Sequence, residues 1–169
     1  YEEVSMKPVR SFLTLTLPVM ILSIIPQVLH AQHALEKTLS NGETVYVSIY
    51  SNVYAGPKQA PFQLSAILSI RNTDPVYGIT ILKADYYDTS GKLIEHYVKE
   101  PVQLRPLASK DITIKEYDTR GGVGANFIVA WKSDKMVNQP IIESVMLGLA
   151  RNQGVSFVCP GQILIKHGQ

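Results

Sequence analysis

Residues 45–54, VYVSIYSNVY, alternate between aliphatic side chains and tyrosine, serine or asparagine. This period of two residues is typical of a β-strand with one face in the core and the other toward solvent. The aliphatic positions are Val45, Val47, Ile49 and Val53. Because parity fixes the face on which a strand side chain lies, burial of these residues turns the tyrosines outward. The outward tyrosines are Tyr46, Tyr50 and Tyr54.

The same alternation recurs in the sequence that follows. Residues 62–70 place apolar side chains at every even position, and the turn sequence NTDP at 72–75 then ends that strand. Residues 142–149 could form a two-turn helix, but Gly148 and the β-branched residues favour a strand. The other predicted strands cover residues 79–88, 93–99, 112–116, 127–131, 155–158 and 163–165.

Seven to nine short strands therefore follow one another, at a spacing of roughly ten residues. No segment has the length and the period of a long helix. This arrangement is typical of all-β proteins in which two antiparallel sheets pack face to face. We predict an antiparallel β-sandwich of the immunoglobulin-like kind.

The N-terminal part of the chain has the pattern of a secretory signal. The sequence MKPVR at 6–10 forms a basic start, and residues 13–25 form an uncharged apolar run that Pro26 ends. This run is shorter than the roughly twenty residues that span a bilayer. We expect cleavage near Ala31.

These boundaries divide the chain into three parts. Residues 1–31 are predicted to be the signal peptide, in which residues 1–5 precede the native start at Met6. Residues 32–44 are predicted to be a linker, and residues 45–169 the β-sandwich. The alternative for the first part is an uncleaved membrane anchor, because the apolar run can be extended to residues 12–29.

The composition excludes several classes of partner and site. Sixteen basic and fourteen acidic residues leave a net charge of +2, which gives no electrostatic basis for binding nucleic acid. Apolar residues make up 46% of the chain, enough for a packed core. A single cysteine, Cys159, excludes an intramolecular disulfide and any metal site that needs several cysteines.

Six ordered blocks of the sequence resemble one known family. They are YVSIYSNVYAG at 46–56, LSIRNTDP at 68–75, YYDTSGKLI at 86–94, LRPLAS at 104–109, GGVGANFIVAW at 121–131 and ESVMLG at 143–148. Together they are similar to the bacterial domain-of-unknown-function family 3124, over nearly the whole exported part. The resemblance implies a small exported or envelope-attached protein without an assigned activity. Many members look like lipoproteins, whereas this chain lacks a cysteine at the end of its signal.

The glycine-rich sequence GGVG at 121–124 is similar in composition to a phosphate-binding loop. The dinucleotide fingerprint needs Gly-x-Gly-x-x-Gly between a strand and a helix, whereas residue 127 is Phe and strand-like sequence follows it. We interpret this segment as a tight or mobile loop between strands, and we predict no cofactor.

Cys159, His96 and His167 are the candidate ligands of a cupredoxin-like copper site, because copper favours one thiolate and two imidazoles. His167 follows Cys159 by eight positions and no methionine follows Cys159, which argues against such a site. We predict neither a metal ligand nor a catalytic residue.

Three aspartates, Asp85, Asp88 and Asp118, could bring carboxylates together for calcium binding or acid–base chemistry. The sequence around Asp88 is ordinary for a hairpin turn. We therefore interpret these carboxylates as turn and edge residues.

Tyrosine accounts for nine of the fourteen aromatic residues. An exposed tyrosine cluster would suit a protein or glycan partner, whereas the same rings could simply cover the second face of a thin sandwich. The candidate binding residues are Tyr46, Tyr50, Tyr54, Gly122, Gly124 and Asn126. We predict an exported, non-catalytic binding or envelope-associated module; the alternative is an enzyme or metal-binding protein with a site assembled from loops.

Overall fold

The computed structural model describes residues 39–150 and 153–167, which belong to one compact unit spanning residues 37–169. The signal segment predicted for residues 1–31 lies outside the described residues. Twelve strands occur in the described ranges. They are β1 (Leu39–Ile49), β2 (Asn52–Ala55), β3 (Ala60–Gln63), β4 (Ser65–Arg71), β5 (Ile79–Tyr87), β6 (Leu93–His96), β7 (Val102–Leu104), β8 (Ser109–Ile114), β9 (Ala125–Asn138), β10 (Ile141–Ala150), β11 (Gln153–Pro160) and β12 (Gln162–Lys166). In this part of the chain no helix could cross a membrane.

The strands form two main sheets and one hairpin. The larger sheet has six strands in the order β12, β1, β9, β5 and β6, with β7 paired to β5 beside β6. The smaller sheet has four strands in the order β11, β10, β4 and β8, and β2 pairs with β3 alone. Every pairing is antiparallel. The predicted antiparallel β-sandwich is confirmed, and residues 142–149 lie in a strand as expected.

Alternating side chains of both sheets form the core. Val47 and Ile49 of β1 are fully buried, as are Leu68 and Ile70 of β4. The aromatic part of the core lies on the inner face of the larger sheet, where Phe127 of β9 and Tyr86 of β5 stack with ring centroids 5.0 Å apart. The period of two that predicted these strands is therefore the period of their burial.

One end of this core contains buried polar groups. Trp131, the only tryptophan of the chain, is fully buried and lies directly across the β1–β9 ladder from Glu43. The Glu43 carboxylate is also buried and accepts from Gln139 Nε2 at 3.0 Å to each oxygen. Among the described residues the Trp131 indole N–H has no acceptor.

The single strand predicted over residues 45–54 is wrong, because the chain leaves the larger sheet at residues 50–51. The Ser51 N–H donates to the Gly122 carbonyl, and the Ser51 carbonyl accepts from the Leu64 N–H, both at 2.9 Å. These bonds replace the β1–β9 ladder and start the β2–β3 hairpin. The strand predicted over residues 62–70 divides at Leu64 for the same reason.

The linker predicted for residues 32–44 is too long at its C-terminal end, because β1 begins at Leu39. This first part of β1 pairs with the last part of β9. Its inward positions carry polar or small residues rather than aliphatic ones, and a Cβ at Gly42 would lie 2.9 Å from the Trp131 carbonyl oxygen. The sequence therefore shows no apolar alternation here, although the backbone is a strand.

Candidate functional site

Two loops meet at one end of the larger sheet, and a buried asparagine joins them. The loops cover residues 72–78, before β5, and residues 105–108, after β7. The Asn72 side-chain amide donates to the carbonyls of Tyr77 at 2.9 Å, Arg105 at 3.0 Å and Leu104 at 3.5 Å. Asn72 therefore connects both loops through one buried group.

Asp74 extends this connection to a third element. Its Oδ1 accepts from the N–H groups of Val76 at 2.9 Å and Tyr77 at 2.8 Å. Its Oδ2 accepts from the Asn138 N–H at 3.0 Å, at the end of β9. Asn72 and Asp74 are both buried, and the Asn72 Oδ1 accepts from the Asp74 N–H at 3.0 Å. We call this pair the Asn72–Asp74 clamp.

The clamp holds apolar side chains in solvent. Val76, Tyr77 and Leu107 are exposed by 65%, 45% and 70%. Leu107 also has a φ of 58°, in the left-handed region that costs a residue with a Cβ about 1–2 kcal/mol. Its N–H donates to the Asp74 carbonyl at 3.2 Å, which helps to hold this conformation. Exposed apolar groups on a strained and fixed backbone are characteristic of functional surfaces.

A cavity of about 380 Å³ opens beside these loops. Its lining residues are Tyr77–Thr80, Gln103–Pro106 and Ser133–Lys135. We call it the Tyr77 groove. The Ser133 hydroxyl donates to the Gly78 carbonyl at 2.9 Å, so β9 is fixed against the start of β5.

The charges of the Tyr77 groove are available to a ligand. Arg105, Asp134 and Lys135 are exposed, and none forms an ion pair with another described residue. Two cations and one anion therefore border a cavity that is also lined by Tyr77. Such a lining can contact an apolar side chain and hydrogen-bond a carboxylate at the same time.

The predicted tyrosine row is not continuous in the structure. Tyr46 lies on the outer face of the larger sheet, opposite Ile128 in β9. Tyr50 instead packs edge-on against Phe157 of β11, with ring centroids 5.6 Å apart, and adjoins the core. Tyr54 is exposed on the separate β2–β3 hairpin. The prediction of a continuous row requires one uninterrupted strand. Because the chain turns at residues 50–51, Tyr50 and Tyr54 do not lie on the same face as Tyr46.

Asn126 is the candidate residue that the structure brings close to Tyr46. It pairs with Ser48, two residues along β1 from Tyr46, so the two side chains are diagonal neighbours on one face. Tyr87 of β5 pairs with Asn126 from the other side. The binding role of Tyr46 and Asn126 stays a prediction.

The glycine loop at residues 121–124 is tightly packed. The Thr89 hydroxyl donates to the Gly121 carbonyl at 2.9 Å and accepts from the Gly124 N–H at 3.0 Å. A Cβ at Gly121 would collide with the Tyr86 hydroxyl, and Gly122 has a φ of 75°. Of the two interpretations, the tight loop describes this segment, and the Gly124 amide is already bonded.

The three candidate copper ligands have separate partners. His96 Nδ1 lies 2.7 Å from Asp85 Oδ1, and His167 Nε2 lies 3.0 Å from the Thr44 hydroxyl. Burial raises the pKa of the Cys159 thiol, although a hydrogen bond with Ser144 lowers it by less. In the described ranges no group of three or more His, Cys, Asp or Glu residues could hold a metal ion.

The Asp85–His96 pair itself was not expected from the sequence. Asp85 is buried on the outer face of the larger sheet, and Lys83 Nζ lies 3.6 Å from its second oxygen. The carboxylate orients the exposed imidazole of His96. Among the described residues, Asp85 is the hydrogen-bond partner of that ring, so the pair shows an oriented imidazole without a nucleophile bonded to it.

The other two aspartates act in turns. The Lys92 and Ser90 N–H groups donate to Asp88 at 2.9 Å each, and they hold the pKa of Asp88 below its ordinary value. Arg120 donates to both oxygens of Asp118 and lowers the pKa of that carboxyl in the same way. Each therefore stabilises its own turn.

A family model described as "Protein of unknown function (DUF3124)" matches residues 42–164. The chain belongs to this family. No curated protein matches it. The crystal structure of Thermotoga maritima 1070 is similar to it at 12% sequence identity and a TM-score of 0.44, covering 71% of this chain and 92% of that one.

The Tyr77 groove of this DUF3124 chain was missed by sequence reasoning. The sequence NTDP at 72–75 predicts a turn, which it is, but its three polar side chains also bond residues far along the chain. The sequence pattern that could have indicated the groove is this turn followed directly by two apolar residues, Val76 and Tyr77. Apolar residues that follow a turn before an alternating strand indicate a loop tip that is not covered by the core.

Proposed function

We propose that this chain is an exported, non-catalytic binding module that holds a segment of a partner protein in the Tyr77 groove. The main support is the Asn72–Asp74 clamp. Buried hydrogen bonds fix two loops whose tips are apolar and exposed. Exposed apolar surface of this kind is characteristic of interaction sites. A loop that is already ordered loses little conformational entropy when it binds, so the clamp favours affinity.

The lining of the groove indicates the chemistry of the partner segment. Tyr77 offers an aromatic face to an apolar side chain, and Leu107 lies on the neighbouring loop. Arg105 and Lys135 are cations without a counter-ion among the described residues. The segment that fits best carries an apolar side chain next to a carboxylate, from Asp, Glu or a free C-terminus.

We further propose that the chain is exported and meets this partner in the cell envelope. The basic start, the apolar run at 13–25 and Pro26 support a signal peptide. N-terminal sequencing of protein from the envelope fraction should begin near Gln32. An intact Met6 start on membrane-bound protein would favour the anchor instead, with the same groove outside the membrane.

A random peptide library displayed on phage tests the groove directly. The full chain is the bait, and the enriched peptides are afterwards measured on the unmodified chain and on its variants. We expect enriched peptides in which an aromatic or aliphatic residue lies beside an acidic one. Their affinity, measured by isothermal titration with synthetic peptides, should fall at least tenfold in Tyr77→Ala and in Arg105→Gln.

The matched control is Tyr117→Ala, since Tyr117 is also an exposed tyrosine but lies after β8, outside the groove lining. This variant should bind as well as the unmodified chain. Peptides that bind the Tyr77→Ala variant equally well would refute the groove. Binding of glycans that is lost in Tyr46→Ala and kept in Tyr77→Ala would contradict the proposal and move the site to the outer sheet face.

A further inference from the structure

The outer strand of the smaller sheet differs from the other edge strands. β11 pairs with β10 over eight consecutive residues without a register shift. Its sequence, QGVSFVCP, has no charged residue, and proline occupies only the last position. No other described strand pairs with its outer edge. This edge is long, regular and uncharged.

The other edges of the two sheets carry features that discourage pairing with another chain. β8 contains Lys110 and Asp111, and β7 has only three residues. β12 ends at Lys166 and shifts register against β1. β6 contains Glu95 and shifts register against β5. Among the described edge strands of both sheets that are longer than three residues, β11 alone has no charge, no bulge and no internal proline.

We propose that β11 pairs antiparallel with β11 of a second copy of this chain, joining two four-stranded sheets into one. A two-fold axis produces this arrangement, because it places a strand antiparallel to its own copy. Like charges directly opposite each other destabilise a strand pair. Since β11 has no charge, pairing with itself is free of this repulsion in every register, and the N–H and C=O groups on its outer edge gain partners.

The side chains next to this edge favour the same partner. Val158 of β11 is exposed and pairs with Val145 of β10, which in turn pairs with Ile67 of β4. These residues form an apolar row across the outer face of the smaller sheet. A two-fold axis perpendicular to the sheet keeps the outer faces of both copies on one side, so the apolar rows of the two copies lie on the same face of the joined sheet and Val158 borders the added strand.

The interface is expected to be weak. Eight strand residues extend about 26 Å, and one pair of such strands buries less than the roughly 1,600 Å² of a standard interface. The dimer should therefore dissociate on dilution. This behaviour can be measured and does not depend on the Tyr77 groove.

The test places a charge at the centre of β11. Ser156 is exposed and pairs with Leu147 on the outer face, so Ser156→Lys brings two ammonium groups close together in the dimer. Sedimentation velocity of the full chain over a range of concentrations should show a dimer that Ser156→Lys weakens at least tenfold. Leu164→Lys, on the exposed face of the β12 edge, is the matched control and should leave the dimer unchanged.

A second measurement covers the case in which a variant folds poorly. Hydrogen exchange of the β11 amides in the unmodified chain should slow as the concentration rises, while exchange in β12 should not. A monomer at every concentration would overturn the proposal. So would a dimer that Ser156→Lys and Leu164→Lys weaken equally, or β11 amides whose exchange is independent of concentration.

Discussion

The two ends of β5 are both fixed by side chains that bond to a neighbouring loop, but they expose very different surfaces. At its C-terminal end, Thr89 bonds both sides of the glycine loop, which closes over the buried hydroxyl of Tyr86. At its N-terminal end, the Asn72–Asp74 clamp fixes two loops whose apolar tips remain in solvent. The same device therefore closes the core at one end and presents a surface at the other.

The comparison shows what a glycine-rich loop and an apolar loop each indicate. Glycine at residue 121 is required by close packing, since no side chain fits beside Tyr86. An exposed leucine in the left-handed conformation has no such explanation from packing. Backbone strain at an exposed apolar residue therefore indicates a binding surface better than a run of glycines does.

The largest effect is expected when the clamp is removed. Asp74→Ala leaves three backbone N–H groups without their carboxylate acceptor, and bonds to charged acceptors contribute about 1.5–3 kcal/mol each. We expect a loss of about 3–5 kcal/mol in the free energy of unfolding, measured in urea. Asp118→Ala removes the carboxylate of a partly exposed ion pair with Arg120 and should cost about 1 kcal/mol or less. Equal losses would show that the clamp is no more important than a surface turn.

At the opposite end of β5, Gly121→Ala tests close packing. The added methyl group would collide with the Tyr86 hydroxyl and lie 2.6 Å from the Ala125 Cβ. Such overpacking costs about 1–3 kcal/mol. Gly91→Ala is the control: it has a φ of 79° but no neighbour within 4 Å, so it isolates the backbone cost of about 1 kcal/mol. A smaller loss for Gly121→Ala than for Gly91→Ala would mean that the loop moves away.

Leu107→Gly should separate stability from binding. Release from the left-handed region gains about 1–2 kcal/mol, and the greater freedom of glycine in the unfolded chain costs about 0.5–1 kcal/mol. We expect a net stabilisation of about 0.5–1 kcal/mol by thermal unfolding, together with weaker binding of the selected peptides. Val76→Gly, which has no positive φ to relieve, should not stabilise the fold. Destabilisation by Leu107→Gly would mean that this side chain supports the fold.

The smallest effect concerns pH. Burial, with the nearby carboxylates of Glu95 and Asp118, raises the pKa of Tyr97 to about 12. A raised pKa means that the fold prefers the neutral phenol, so this contribution is complete below pH of about 10 and is lost as the pH rises toward 12. Tyr97→Phe keeps the ring and removes the titration. Urea midpoints should therefore fall less between pH 9 and 11 in this variant; an identical fall would assign the effect to another group.

Local pattern predicts the strands well, because alternation depends only on neighbouring residues. Val47, Ile49 and Phe127 are buried by the parity that the sequence shows. The prediction is wrong at Tyr50, because Ser51 bonds Gly122 in a distant loop and ends the strand. It also misses the start of β1, where buried positions such as Ser40 and Gly42 are polar or small.

The candidate site depends on contacts that no local pattern contains. NTDP at 72–75 predicts a turn, but the contact between Asn72 and Arg105 exists only once β7 has paired with β5 and β8 with β4. The tyrosines suggested a surface because they are numerous, yet Tyr50 and Tyr86 contribute to the interior. Residue type alone does not distinguish an exposed ring from a buried one when both lie in strands.

Trp131 gives this protein a built-in optical reporter. It is the only indole in the chain, it has no contact with solvent, and no described group accepts its N–H. Its emission should therefore be blue-shifted in the native state and move to longer wavelength when water reaches the core. Since its neighbour across the ladder is the buried Glu43 carboxylate, the same emission can follow opening of that end of the sandwich without any attached dye.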